Sequence, residues 1–243
     1  MKCVIHGSGG VGGYYGGCLA RAGHEVFFIA RGAHLEAIQQ QGLSIKSAKG
    51  DFRIETPKSG ERCDPNFDPD LVIVAVKSWQ LPEITEEIKN YCTPSTLILP
   101  LQNGADASDI LADTLGPERV LGGLTKIFSK IEAPGVINHF TGATYIGFGE
   151  YFQDPQFQNA PDSLSERCRN LEKELDSTPG IDAEAFVDIQ KELWRKMLIF
   201  VSTSGVGTIT RTPNGVFRSI PETREMLIQL IREILIVGQA KKV

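Results

Sequence analysis

The 243-residue chain contains no Cys-x-x-Cys pair, no long apolar run and no concentrated basic stripe. Its five cysteines, at 3, 18, 63, 92 and 168, are odd in number and widely spaced. That distribution argues against a disulfide framework or a zinc site, and it suits free thiols in a reducing compartment. No apolar segment approaches the roughly 20 residues needed to span a bilayer, and the N-terminus enters a strand pattern rather than a signal peptide. A formal net charge of −5 speaks against a nucleic-acid partner. No internal repeat or low-complexity tract is found. The expectation is a cytoplasmic protein that binds neither nucleic acid nor membrane and holds no metal.

What is present is ordinary for a globular protein: 41% hydrophobic and 23% charged residues, on a chain long enough for one large or two modest domains. The first half alternates short apolar runs with amphipathic stretches. Cys3-Val4-Ile5, Val26 to Ile29, Leu71 to Val76 and Leu97 to Leu99 read as buried strands. Helical patterns at 80–90 and 106–115 fall between or after them, and the alternation favours a parallel sheet covered on both faces. From 120 to 149, Gly-punctuated runs suggest hairpin strands at the far edge of the same sheet. The polar stretch 151–163 reads as an exposed connection. Leu164, Cys168, Leu171 and Leu175 then mark an amphipathic helix, and a short strand is expected near 183–187.

Beyond residue 187 the pattern is helical. Ser219-Ile-Pro-Glu222 has capping-box spacing. Met226, Leu227, Leu230, Ile231, Ile234 and Leu235 form a wide apolar stripe, which one helix from 188 onward cannot cover entirely. Either a homodimer through the C-terminal helices covers the rest, or the chain is a shortened version of a longer protein.

The strongest motif stands at the start. Lys2 to His6 reads as a strand, Gly7-Ser8-Gly9-Gly10-Val11-Gly12 has the G-x-G-x-x-G form, and Tyr14 to Ala22 suits a helix. In that setting Gly7 permits a tight turn, Gly9 lets backbone approach a pyrophosphate, and Gly12 lets the helix pack on the sheet. The second strand ends without the acid that an NAD site offers to the ribose. It supplies Arg31 instead, which suits the 2′-phosphate of NADP(H). Lys77 and Asn103 each follow a buried strand, where strand C-termini face the ligand crevice.

Lys196 is a puzzle of another kind. It precedes Met197-Leu-Ile-Phe-Val201 and shares a helical face with Leu193, Phe200 and Ser204. Glu192 lies four residues before it, the favourable order for an exposed ion pair.

In their order, GSGGVG, HEVFFIAR, VKSWQ, LQNG, ELWRKM and PNG make the chain resemble the ketopantoate reductases (2-dehydropantoate 2-reductases) over nearly its whole length. The resemblance implies an α/β architecture. A Rossmann-type parallel-sheet domain at 1–187 would be followed by an all-helical C-terminal domain at 188–243, incomplete relative to the family. It implies NADPH-dependent reduction of a 2-keto acid during pantothenate biosynthesis, with cofactor and substrate in the interdomain cleft. The catalytic lysine of the family falls on Lys196, as general acid. Its cofactor residues fall on Gly7 to Gly12, Arg31, Lys77 and Asn103. Asn103 and Ser204 are the residues left for the substrate, because the family's two asparagines beyond the lysine are here Phe200 and Ser204. The family's later serine and glutamate have no counterpart within this sequence. Two other readings stay open: a 3-hydroxyacid or polyol-phosphate dehydrogenase, and a catalytically weak NADP-binding protein acting as sensor or remnant.

Overall fold

The computed structural model describes residues 1–152, 163–241 and 243; most of the connection expected at 151–163 lies outside them. The chain divides into two compact units. One comprises residues 1–102 and 106–189, the other residues 103–105 and 190–243.

In the first unit, β1 (Lys2–His6), β2 (Glu25–Ile29), β5 (Lys58–Gly60), β6 (Leu71–Val74) and β7 (Leu97–Pro100) form one sheet in the order β5-β2-β1-β6-β7. Every neighbouring pair is parallel. Strands buried on both faces sort their side chains by the period of two. Cys3, Ile5, Leu71 and Ile73 join one apolar cluster, and Val4, Val72 and Val74 join another. The second cluster is closed by Leu81, Ile84 and Ile88 of α3 (Leu81–Lys89) and by Leu111 and Leu115 of α4 (Ala107–Leu115).

The first cluster is closed by α1 (Gly10–Arg21), which starts inside the glycine motif rather than after it. This helix lies between two sheets. A Cβ on Gly16 would sit 2.6 Å from Ile5 and Phe28 on one side, and one on Gly13 would sit 2.8 Å from Ile137 on the other. Glycines inside a helix cost about 1 kcal/mol each relative to alanine. Here they let both sheets approach the helix axis.

The second sheet contains β3 (Leu43–Ser47), β4 (Phe52–Ile54), β8 (Leu121–Ala133), β9 (Val136–Glu150) and β10 (Asp182–Ala185). Residues 121–150 therefore do not extend the first sheet as the sequence suggested. They form a long hairpin whose β9 pairs antiparallel with β8 and parallel with both β3 and β10. The physical reason is β3. Leu43 and Ile45 are buried and give β9 an apolar edge to join, while a bridge from Ile98 to Val120 brings only the hairpin's start beside β7. α2 (Gly32–Gln41) follows β2, and α5 (Glu166–Asp176) buries Cys168, Leu171 and Leu175 as its spacing predicts.

The second unit contains most of α6 (Ile189–Thr210), with α7 (Asn214–Ser219) and α8 (Pro221–Ala240). Helices α6 and α8 run antiparallel. An added Cβ on Gly238 would meet Trp194 at 3.0 Å, and one on Gly205 would meet Leu230 at 3.5 Å. Val206, Phe217 and Leu227 make the small core. The capping-box reading at Ser219 is corrected. Ser219 ends α7 and its Oγ donates to the Val216 carbonyl at 2.8 Å, while Ile220 caps α8 and Pro221 opens it with its fixed φ. Of the apolar stripe, Met226 and Leu235 stay exposed.

Candidate functional site

Strands β2, β1 and β6 are consecutive in the sheet, and their C-terminal ends surround a cavity of about 330 Å³. Its walls include Gly7, Ser8, Gly9, Arg31, Val76 and Lys77. Strand order reverses at β1, with β2 and β5 laid down on one side and β6 and β7 on the other, the kind of switch point at which parallel sheets open a crevice.

The local geometry fits a dinucleotide. Gly7 turns the chain with φ +102, and a Cβ there would strike Val76 at 2.8 Å. Gly9, the N-cap of the 12-residue α1, faces open space: a Cβ there would have nothing within 4 Å. The first N–H groups of a helix lack intrahelical acceptors and carry its positive end, so an anion is favoured in that space. Ser8 is buried, lines the cavity, and its Oγ has no hydrogen-bond partner. A buried hydroxyl without a partner costs about 1–3 kcal/mol, and a phosphate oxygen would satisfy it. Arg31 and Lys77, both exposed, put cations on the cavity wall.

Two histidines in the same cavity escaped the sequence reading. His6 ends β1 fully buried, with Nδ1 2.9 Å from the Tyr91 hydroxyl. Burial, and secondarily the positive Arg31, push its pKa down to about 4, so the ring is neutral. His34 reaches from α2 to the glycine loop, donating from Nε2 to the Ser8 carbonyl at 2.8 Å. Their signal was positional: one directly precedes Gly7, the other follows Arg31 by one helical turn. Gln102 was also missed. Its amide donates to the carbonyls of Val74 and Val76 at 3.0 and 3.1 Å and fixes the segment leading to Lys77.

Lys196 and Asn103 both lie in the second unit. Lys196 is half-buried on α6, and its Nζ donates to Oδ1 of Asn103 at 2.8 Å. Glu192, the partner expected for Lys196 in the salt-bridge reading, is bonded by Arg195, three residues on. Phe200 and Ser204, one and two turns beyond Lys196, are both exposed. Among the described residues no cluster of three or more His, Cys, Asp or Glu could hold a metal ion, and no helix is long and apolar enough to cross a membrane.

Comparison with known proteins bears on this geometry. The family described as "Ketopantoate reductase PanE/ApbA" matches residues 3–151, and its C-terminal counterpart matches residues 188–243. An uncharacterized oxidoreductase, YkpB, of Bacillus subtilis (strain 168) is 32% identical over 98% of this chain and 74% of that protein. A 2-dehydropantoate 2-reductase of Pyrococcus abyssi is 28% identical over 96% of this chain and 72% of that one. Among solved structures, the 2-dehydropantoate 2-reductase of Porphyromonas gingivalis W83 matches with a TM-score of 0.86. It is 27% identical, and the match covers 100% of this chain and 83% of the other. With its Rossmann-type sheet and helical C-terminal region, the chain belongs to the ketopantoate reductase family of oxidoreductases.

Proposed function

We propose that the chain reduces a 2-keto acid, ketopantoate or a close analogue, with NADPH as donor and Lys196 as general acid. The observation that carries the reading is the 2.8 Å bond from Lys196 Nζ to Asn103 Oδ1. It holds the ammonium beside a neutral amide, which orients the group.

A bound reduced nicotinamide supplies the hydride to the keto carbon. The chain's own residues do the rest. Gly9, the Ser8 hydroxyl and the start of α1 receive the pyrophosphate. Arg31 takes the 2′-phosphate by charge-assisted bonds, and Lys77 adds positive charge along the same wall. Lys196 passes one Nζ proton to the carbonyl oxygen as negative charge develops there, then recovers a proton from water. An acid placed this way lowers the barrier both by proton transfer and by stabilising the alkoxide. The Asn103 amide, bonded through Oδ1 to Lys196, keeps the proton donor in place.

Substrate choice is read from α6. Phe200 offers no hydrogen bond where the resemblance expects an amide, and Ser204 offers only a short hydroxyl. An unpaired polar group on the substrate costs about 1–3 kcal/mol, so ketopantoate is bound roughly 5- to 150-fold more weakly than by a relative with both asparagines. The test is NADPH oxidation against a panel of 2-keto acids. Turnover of at least one, better for those with apolar side chains than for ketopantoate, is expected. If every 2-keto acid is inert while NADPH binds, the chain is an NADP-binding protein without this activity.

A further inference from the structure

His34 links two walls of the cofactor cavity. Its Nδ1 accepts the Gly135 N–H at 3.1 Å, and its Nε2 bonds the Ser8 carbonyl at 2.8 Å. An amide N–H can only donate, so Nδ1 is the acceptor and Nε2 carries the ring hydrogen. The Ser8 N–H in turn donates to the Ile29 carbonyl at 2.9 Å, so Ser8 is held from both of its peptide groups. On the other side, Gly135 turns the β8–β9 hairpin with φ +74, and its carbonyl accepts the Ser44 N–H at 2.9 Å.

The hairpin end is itself part of the cavity. Pairing of β8 with β9 shifts register between Ile127 and Ser129 and again between Ile131 and Ala133. Such bulges re-aim side chains, often beside binding sites. Between the two shifts β8 crosses the glycine loop, where a Cβ on Gly10 would come within 2.6 Å of the Ser129 carbonyl, and Ile131 lines the cavity.

Resting on the dinucleotide reading of this cavity, we infer that His34 is a positioning residue for the cofactor pyrophosphate. It fixes the spacing between the glycine loop and the bulged strand. Both ring nitrogens are bonded to backbone, so it acts through Ser8 and Gly135 rather than on the phosphates. Without it the loop must be ordered at each binding event, and that cost falls on the pyrophosphate. The 2′-phosphate, held by Arg31, is unaffected.

The test titrates NADPH and 2′-AMP, which lacks the pyrophosphate, into the native protein, His34→Ala and His34→Gln, with a thermal midpoint recorded for each. His34→Ala is expected to weaken NADPH roughly tenfold, the scale of a lost hydrogen bond, and to change 2′-AMP less than about twofold. His34→Gln, whose amide can still donate to the Ser8 carbonyl, recovers most of the NADPH affinity. If His34→Ala does not fold, His34→Asn, which keeps the acceptor for Gly135 but not the donor to Ser8, replaces it with the same expectation. Equal losses for both ligands, or no loss of NADPH affinity, overturn the inference, as does a glutamine variant as weak as the alanine one. Native protein that binds no NADPH sinks the dinucleotide reading itself, and this inference with it.

Discussion

The ammonium of Lys196 is tied to the amide oxygen of Asn103, 93 positions away in the chain, by a 2.8 Å hydrogen bond. That bond explains how a lysine sits half-buried beside an apolar helical run. Lys196→Ala is expected to leave NADPH affinity nearly intact in titration calorimetry. Turnover should fall roughly 10²–10⁴-fold, the range for a lost acid–base group. Unchanged turnover would reduce Lys196 to a surface cation.

In the proposed reading Arg31 sets the cofactor preference. Native protein should bind NADPH more tightly than NADH, and Arg31→Asp should reverse the order, because a carboxylate repels a 2′-phosphate and accepts ribose hydroxyls. Equal affinities in the native protein would remove Arg31 from the site.

Two glycines of one motif should fail in different ways. A methyl on Gly12 would collide with the Gly7 carbonyl and with Ile5, so Gly12→Ala should cost about 1–3 kcal/mol of stability as an overpacked contact. Gly9 faces open space. Gly9→Ala should cost less than about 1 kcal/mol as a poorer helix cap, yet weaken NADPH binding by more than roughly tenfold. Urea melts and calorimetry on both variants separate the effects; equal stability losses would contradict the geometry.

His6 makes stability fall in mild acid. Its pKa drops from 6.5 to about 4 on folding, so between those values the unfolded chain binds a proton that the folded chain refuses. Stability is therefore full above pH 6.5, declines as pH falls toward 4, and by linkage loses about 3 kcal/mol over that span. His24 and His139, both lowered chiefly by burial, add slope in the same direction. Urea midpoints at pH 7.5 and 4.5 should differ less in His6→Asn than in the native protein. An unchanged difference would show that His6 takes no part in the acid loss.

The glycine motif and four of the first sheet's five strands were legible because each is a local pattern: glycines at fixed offsets, and buried apolar runs. The Lys196–Asn103 bond was not, since no local spacing joins residues so far apart. Helical spacing offered Glu192 as a partner for Lys196, and it could not show that Arg195, a turn away on the same helix, also bonds Glu192. Ser219 and Glu222 matched a capping box, yet Pro221 with its preset φ starts the helix one residue later. The 121–150 hairpin was misplaced because its destination depends on β3, a short strand with only two buried apolar side chains.

That same pairing dictates an order of events during folding. Ser44 to Ser47 align with Val136 to His139, so β3 must wait for about ninety further residues before its parallel partner exists. Closing so long a loop adds little to the equilibrium cost, which grows only with the logarithm of length, but contacts this distant in sequence slow the search. As the chain leaves the ribosome, the start of the first sheet and the β3–β4 pair can assemble early, while the other edge of β3 and the part of α1 that packs on Ile137 remain uncovered until β9 arrives.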